Sequence, residues 1–250
     1  MYKIIKKLKN IIKIFYNKNA IFSKYFENYH DIKKKIFNVK AYKNFNLKFV
    51  KHHKLEIEDR FFVSIKELRK SKKQNINILE IGSGYSFISL IARKLYLNKN
   101  IKTYVVETKV TTDSLKKTIP NYWKNKFIFF NEVKSIPDIN YDFVIFNSSI
   151  QYIIDLENFL NKLFKKKIST VIITETLITK KLKDFYCLQS SHNHNILYHV
   201  ISLPKLKNFF FKNNLHLVSS NFYNYEKNLF KDGLYSKVEL TNLIFKKYKQ

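Results

Sequence analysis

Apolar residues between positions 75 and 250 gather in short runs, and the runs alternate between two periods. Strand-like runs, dense in β-branched and aromatic residues, fall at 76–81, 102–106, 127–130, 141–146, 170–174, 215–219 and 238–245. Between them, apolar residues recur at three- and four-residue spacing near 86–97 and over 156–164, and further helices are expected within 112–117 and from Pro204 towards Asn213. Pro120 stops the helix within 112–117, and Pro204 suits the first turn of the last. Short connections between alternating strands and helices predict a mostly parallel sheet, covered on both faces, with right-handed crossovers. The stretch between 174 and Pro204 shows no such period and reads as irregular.

The chain before this pattern is different. Residues 1–30 read as one or two basic amphipathic helices, with Ile4, Leu8, Ile11, Ile12 and Phe15 on one face and Lys3, Lys6, Lys7, Lys9, Lys13 and Lys18 beside it. Such a stripe fits docking on an anionic membrane surface. It equally fits a helix packed on its own domain with solvated lysines. Residues 31–73 are lysine-rich. His52 and His53 precede a helix carrying Phe61, Phe62, Ile65 and Leu68. Adjacent histidines on a helix point apart, which makes them a poor metal pair. The expected division is a basic helical extension over 1–65 and an α/β domain over 66–250.

Net charge modifies this picture less than its size suggests. The chain carries +28, but only Arg60, Arg69 and Arg93 are arginine against 44 lysines. Lys, Ile, Asn, Phe and Tyr share A/T-rich codons, so the basicity fits genomic bias as well as attraction to nucleic acid, anionic lipid or an acidic glycan. Proteins that read nucleic acid favour the arginine fork, so a nucleic-acid partner is disfavoured. Cys187 is the single cysteine. It leaves no disulfide partner, fits a reducing compartment, and sits in an apolar segment where cysteine acts as a small hydrophobe. No run of 18 apolar residues occurs, and the early lysines interrupt any signal-peptide core. A cytoplasmic protein is expected, peripheral on the inner face of the membrane if residues 1–30 dock there.

The candidate chemistry lies between Asn75 and Arg93. Two of only 3 glycines in the chain, Gly82 and Gly84, directly follow the first strand-like run. A strand that turns on glycine into a helix lets a ligand approach the backbone near the positive end of the helix dipole. This is the nucleotide-binding corner of an open α/β sheet. A dinucleotide fingerprint would need a third glycine where Phe87 stands, and no Gly-Lys-Ser/Thr sequence is present for a P-loop. What remains is Glu80-x-Gly82-x-Gly84-x-Ser86.

That element resembles motif I of the class I S-adenosylmethionine (SAM)-dependent methyltransferases, D/E-x-G-x-G-x-G, with Ser86 for the last glycine. The resemblance implies a Rossmann-like, seven-stranded, mostly parallel sheet with helices on both faces, closed by a hairpin whose last strand is antiparallel. It implies SAM as cofactor, with Glu80, Gly82, Ser83, Gly84 and Tyr85 at the binding loop. In such sheets ligands lie at the carboxyl ends of the strands. That rule selects Glu107, 25 residues beyond Gly82, as a bidentate acceptor for the ribose hydroxyls. It also selects Asn131 and Glu132 for the adenine, and Asn147 and Ser148 beyond the fourth strand.

A narrower resemblance rests on Tyr141 to Tyr152, with Ser148-Ser149-Ile150-Gln151-Tyr152 after the fourth strand and Phe185-Tyr186-Cys187-Leu188-Gln189 later. These residues are similar to a family of methyltransferases encoded beside lipopolysaccharide and other surface-polysaccharide genes. It implies O-methylation of a saccharide or surface-polysaccharide intermediate. Alternatives are an RNA methyltransferase, prompted by the charge, and a non-catalytic methyltransferase-like scaffold at a membrane surface. Gln151, Tyr152, Glu175 and Gln189 are the residues expected at the acceptor, a small molecule or glycan. A hydroxyl acceptor gains from a base. His192, His194 and Tyr152 are the leading candidates, with His199 and Glu175 behind them. No carboxylate cluster accompanies the histidines, so no metal is expected.

Overall fold

The computed structural model describes residues 21–26, 60–82, 88, 92, 99–118, 121–191, 194–223 and 238–248. In chain order these form β1 (Ile21–Phe26), α1 (Arg60–Lys70), β2 (Asn75–Ile81), β3 (Asn100–Val106), α2 (Lys109–Thr118), β4 (Phe127–Phe130), β5 (Asn140–Asn147), α3 (Leu156–Leu163), β6 (Lys167–Thr179), β7 (Phe185–Ser191), β8 (His194–Ser202), α4 (Leu203–Lys212), β9 (Leu215–Tyr223) and β10 (Glu239–Lys247). Ile88 and Ala92, between β2 and β3, are helical and fully buried.

The main sheet runs β4-β3-β2-β5-β6, and β10 and β9 complete it beyond β6. The pairs β2–β3, β2–β5, β3–β4 and β5–β6 are all parallel. β10 is antiparallel to both β6 and β9, the closing hairpin that the resemblance implies. Both faces are covered, which is why these strands read as nearly continuous apolar runs. On one face Leu79, Ile81, Val144, Phe146, Ile173 and Phe245 pack on Leu160 of α3 and Phe210 of α4. Phe210 stacks on Phe245 with ring centroids 4.1 Å apart. On the other face Ile76, Ile78, Phe143, Ile145, Ile172 and Ile244 meet Ile65 and Leu68 of α1, and Ile88 and Ala92.

Two expectations need correction. The stretch read as irregular after the fifth strand is ordered: β6 continues to Thr179, and β7 and β8 form an antiparallel hairpin. Its core does alternate, through Phe185 and Cys187 on one strand and Ile196, Tyr198 and Val200 on the other. The signal is masked because Tyr186 and His199 stand between these residues, and because Ser190 to Asn195 reads as a polar loop. The hairpin continues β6 through the parallel pairs Ile178↔Ile201 and Thr179↔Ser202.

Second, part of the basic amphipathic stretch is a strand. β1 pairs antiparallel with β7, from Ile21↔Ser190 to Phe26↔Tyr186. Its sequence, Ile-Phe-Ser-Lys-Tyr-Phe, is rich in the residue types that favour a pleated surface. The described residues therefore hold three strands, β1, β7 and β8, beyond the expected seven-stranded sheet. The amphipathic face over residues 1–20 lies outside the described residues. The boundary expected between residues 65 and 66 falls inside α1. Among the described residues, no helix is long and apolar enough to cross a membrane.

Candidate functional site

The strand order reverses between β2 and β5, the two strands that leave the switch point of the sheet. Gly82 ends β2 with φ +63°, a conformation open to glycine at no steric cost. Its N–H donates to Val106 O at 3.0 Å. A Cβ at Gly82 would lie 2.7 Å from Ser149 Cβ, so shape and backbone angle both demand glycine. Ser149 Oγ in turn donates to Ile81 O at 2.5 Å, which fastens the end of β5 to the end of β2.

Glu80 is turned into the protein. It is fully buried, and its Oε2 accepts from the Ile88 N–H at 3.2 Å. This hydrogen bond ties the end of β2 to the helical Ile88. Ser83, Gly84 and Tyr85 lie outside the described residues.

Glu107 stands one residue past β3, next to the Gly82 corner. Its N–H donates to Phe130 O at 3.0 Å, and its Oε2 accepts from the Thr108 N–H at 3.1 Å. Thr108 caps α2, with Thr111 N–H donating to Thr108 Oγ1 at 3.4 Å. The Glu107 carboxylate therefore sits at the positive end of that helix. Asn131 Nδ2 donates to Glu107 O at 3.3 Å and so ties the rim of β4 to that of β3. Glu132 is exposed and pairs with Lys134 at 2.7 Å.

The ends of β5 and β6 are knitted more closely. Thr174 Oγ1 donates to Asn147 Oδ1 at 2.8 Å, and the Ser148 N–H donates to Thr174 O at 3.1 Å. Ser148 Oγ donates to Glu175 Oε2 at 3.0 Å. Ser148 has φ 51° and Glu175 φ 47°. Each left-handed non-glycine residue costs on the order of 1–3 kcal/mol. The register explains Glu175: Thr241 pairs Thr176 and Leu243 pairs Ile173, so Asn242 alone opposes both Thr174 and Glu175. This is a β-bulge, a device that re-aims one side chain at a sheet rim. Asn242 Oδ1 accepts the displaced Glu175 N–H at 2.7 Å.

Two buried polar atoms flank Ser148 without a hydrogen-bond partner among the described residues. They are Asn147 Nδ2, on a residue 4% exposed, and Gln151 Oε1, on a residue 3% exposed. An unsatisfied buried group costs about 1–3 kcal/mol, a penalty that a bound ligand could remove.

Tyr152 hydroxyl donates to Gln189 Oε1 at 2.7 Å, and its ring meets Tyr198 edge-on at 5.6 Å. Tyr198 hydroxyl accepts from the Leu177 N–H at 3.0 Å, anchoring the β7–β8 hairpin to β6. The structure thus joins Ser148 to Glu175 and Tyr152 to Gln189. His192 lies outside the described residues. His194 begins β8, opposite Ser191, and its side chain lies outside them too. His199 is buried, stacked on Tyr186 at 4.6 Å and 3.6 Å from Asp184, and so is enclosed within the hairpin. Burial works to raise the Asp184 pKa. The adjacent His199 ring, the Ser202 N–H that donates to Asp184 Oδ1 at 2.6 Å and the nearby Lys205 outweigh it and hold the carboxyl below its usual range.

Three supporting residues were missed in the sequence. Ser149, Thr174 and Asn242 each orient a rim residue. A signal existed for the last two, because Thr174-Glu175-Thr176 and Thr241-Asn242 interrupt otherwise apolar strands.

No family model matches the chain, and no curated protein matches it in sequence. Solved structures do match in architecture. The Burkholderia thailandensis 1,6-didemethyltoxoflavin-N1-methyltransferase, bound to 1,6-didemethyltoxoflavin and S-adenosylhomocysteine, aligns with TM-score 0.54 and 11% identity over 84% of this chain and 89% of that one. The N-terminal domain of EvdMO1, in the presence of S-adenosylhomocysteine and D-fucose, aligns with TM-score 0.53 and 6% identity over 85% and 98%. A Listeria monocytogenes protein described as a SAM-dependent methyltransferase aligns with TM-score 0.52 and 11% identity over 76% and 98%. At these identities the likeness is one of fold, and the chain therefore has the architecture of SAM-dependent methyltransferases.

Proposed function

We propose that this chain is a SAM-dependent methyltransferase acting on a hydroxyl of a saccharide or surface-polysaccharide intermediate. The observation that carries the reading is the rim itself. A left-handed Gly82 at the switch point stands beside Glu107, whose carboxylate follows the adjacent strand. The residues fit the cofactor. Glu107 supplies acceptor oxygens for a ribose diol, Gly82 keeps a side chain out of the corner, and the Asn147 Nδ2 is a buried donor without a partner. When bound, the cofactor supplies an activated methyl group, so the protein has mainly to align an acceptor and exclude water.

The acceptor class rests on the side chains near β5 and the hairpin. Ser148, Gln151, Tyr152 and Gln189 offer neutral hydrogen-bonding groups suited to a polyhydroxyl compound. The fold neighbour studied with D-fucose supports a sugar on this architecture. The surface-polysaccharide setting rests on the sequence resemblance around Tyr141–Tyr152. Residues 1–20 remain the segment that would touch an anionic surface, because 21–26 are paired in the sheet.

Isothermal calorimetry tests the cofactor assignment. Wild-type protein is expected to bind SAM and S-adenosylhomocysteine, and the absence of either binding at millimolar ligand would overturn the function.

A further inference from the structure

Glu175 is the most heavily engineered position at this rim. The bulge opposite Asn242 lifts it out of the ladder, Asn242 Oδ1 takes its N–H, and Ser148 Oγ fixes one carboxylate oxygen. Thr174 and Thr176 on either side are fully buried, whereas Glu175 is half-buried. Both members of the Ser148–Glu175 pair hold left-handed backbone angles, Ser148 one residue past the end of β5 and Glu175 at the bulge within β6, level with that end. Among the described residues the third non-glycine case, Asn214, follows a helix end, where asparagine is readily tolerated. Strain placed twice on touching residues, at the carboxyl ends of the strands, marks a site where geometry is set for a ligand. Asn147 Nδ2 and Gln151 Oε1, on residues close to Ser148 in sequence, are buried and without a partner among the described residues, and a ligand with both donor and acceptor groups would satisfy them.

Resting on the methyltransferase reading, the geometry points to a specific role for Glu175: it is the anionic residue facing the methyl donor and the base for the acceptor hydroxyl. Glu107 follows β3 and Glu175 lies on β6, with β2 and β5 between them. At strand spacing of about 4.8 Å, the two carboxylates bracket the switch point across roughly 14 Å. A cofactor whose ribose engaged Glu107 would leave its cationic sulfonium end to the residues of β5 and β6. The acceptor oxygen then forms its bond to the methyl carbon while its proton passes to a Glu175 oxygen. The sulfur–methyl bond breaks with its electron pair remaining on sulfur, and Glu175 later releases the proton to water. Ser148 is a positioning residue in this scheme, holding the carboxylate through one oxygen.

The charge makes a test possible without knowing the acceptor. SAM carries a positive sulfonium and S-adenosylhomocysteine a neutral thioether. Glu175→Gln removes the negative charge with little change of shape. Calorimetry should show SAM affinity falling about 3- to 30-fold, with S-adenosylhomocysteine affinity unchanged within about twofold. Equal losses for both ligands, or no loss for either, would overturn the assignment. Binding of neither ligand by the wild type is a different outcome, and it would overturn the methyltransferase reading underneath. The fold supplies a second measurement. Glu175→Gly frees the left-handed backbone, so its Tm should match or exceed wild type by about 2–4 °C. A lower Tm in both Glu175→Gly and Glu175→Gln would make Glu175 a structural residue and sink the proposal.

Discussion

Gly82 and Ser149 are locked together across the switch point, with Ser149 Cβ 2.7 Å from where a Gly82 Cβ would stand. Gly82→Ala therefore meets a steric wall and an unfavourable φ together. The left-handed angle costs about 1–2 kcal/mol for a residue with a Cβ. Tm should fall by about 2–8 °C from the angle alone and further from the clash, read by differential scanning fluorimetry. Combining it with Ser149→Gly removes the wall and leaves the angle, so the double variant should be more stable than the summed single losses predict. Strict additivity would show that the two residues do not touch.

Glu107→Ala should weaken SAM about 10- to 150-fold, the worth of charge-assisted hydrogen bonds of roughly 1.5–3 kcal/mol. Tm of the unliganded protein should change little, because the carboxylate is at the rim and partly exposed. Unchanged calorimetric affinity would remove Glu107 from the ribose.

Asp184 links pH to stability. Burial works against its ionisation, and the adjacent His199 ring, the Ser202 N–H hydrogen bond and the nearby Lys205 more than compensate, so the folded pKa is below the unfolded one. A depressed carboxyl pKa stabilises above the unfolded value, about 3.9, and that stability is lost as pH falls through the folded value. Asp184→Asn should thus lower Tm at pH 7 and narrow the gap to wild type as pH approaches 3. A constant gap across pH would show that the carboxylate charge is not what holds the hairpin.

Cys187 reports on the same hairpin. It is buried in the small core with Phe185, Tyr198 and Val200, and burial pushes its thiol up to about 12. A disulfide reagent at pH 8 should label it only after denaturant is added. Rapid labelling of native protein would mean that β7 and β8 open readily.

The sequence was most legible where one residue type had a single physical explanation. Glycines are so scarce that Gly82 and Gly84 after an apolar run mark the turn that leaves β2, where Gly82 is left-handed, and β2 through β6 follow from apolar periodicity. Glu107 is selected by strand-end position alone. Elsewhere the information is tertiary. The left-handed angle of Glu175 arises from a bulge against Asn242, 67 residues away, and no local pattern announces it or the left-handed angle of Ser148. The β7–β8 hairpin escapes because tyrosine and histidine alternate with its core residues. β1 escapes because an aromatic strand flanked by lysines can also be read as an amphipathic helix.

The pairing of β1 with β7 carries a consequence for how the chain is made. A ribosome delivers Ile21 long before Ser190, its partner. At about 5–20 residues per second, β1 waits roughly 10–30 seconds for β7 to appear. During that interval an aromatic strand of the kind that joins other chains edge to edge has nothing to pair with. Lys18 just before it and Lys24 within it place positive charge on that waiting segment. Like charges on neighbouring nascent chains repel, so these lysines act as gatekeepers while translation finishes. Replacing both with serine should leave the finished fold intact and lower the soluble yield from cells.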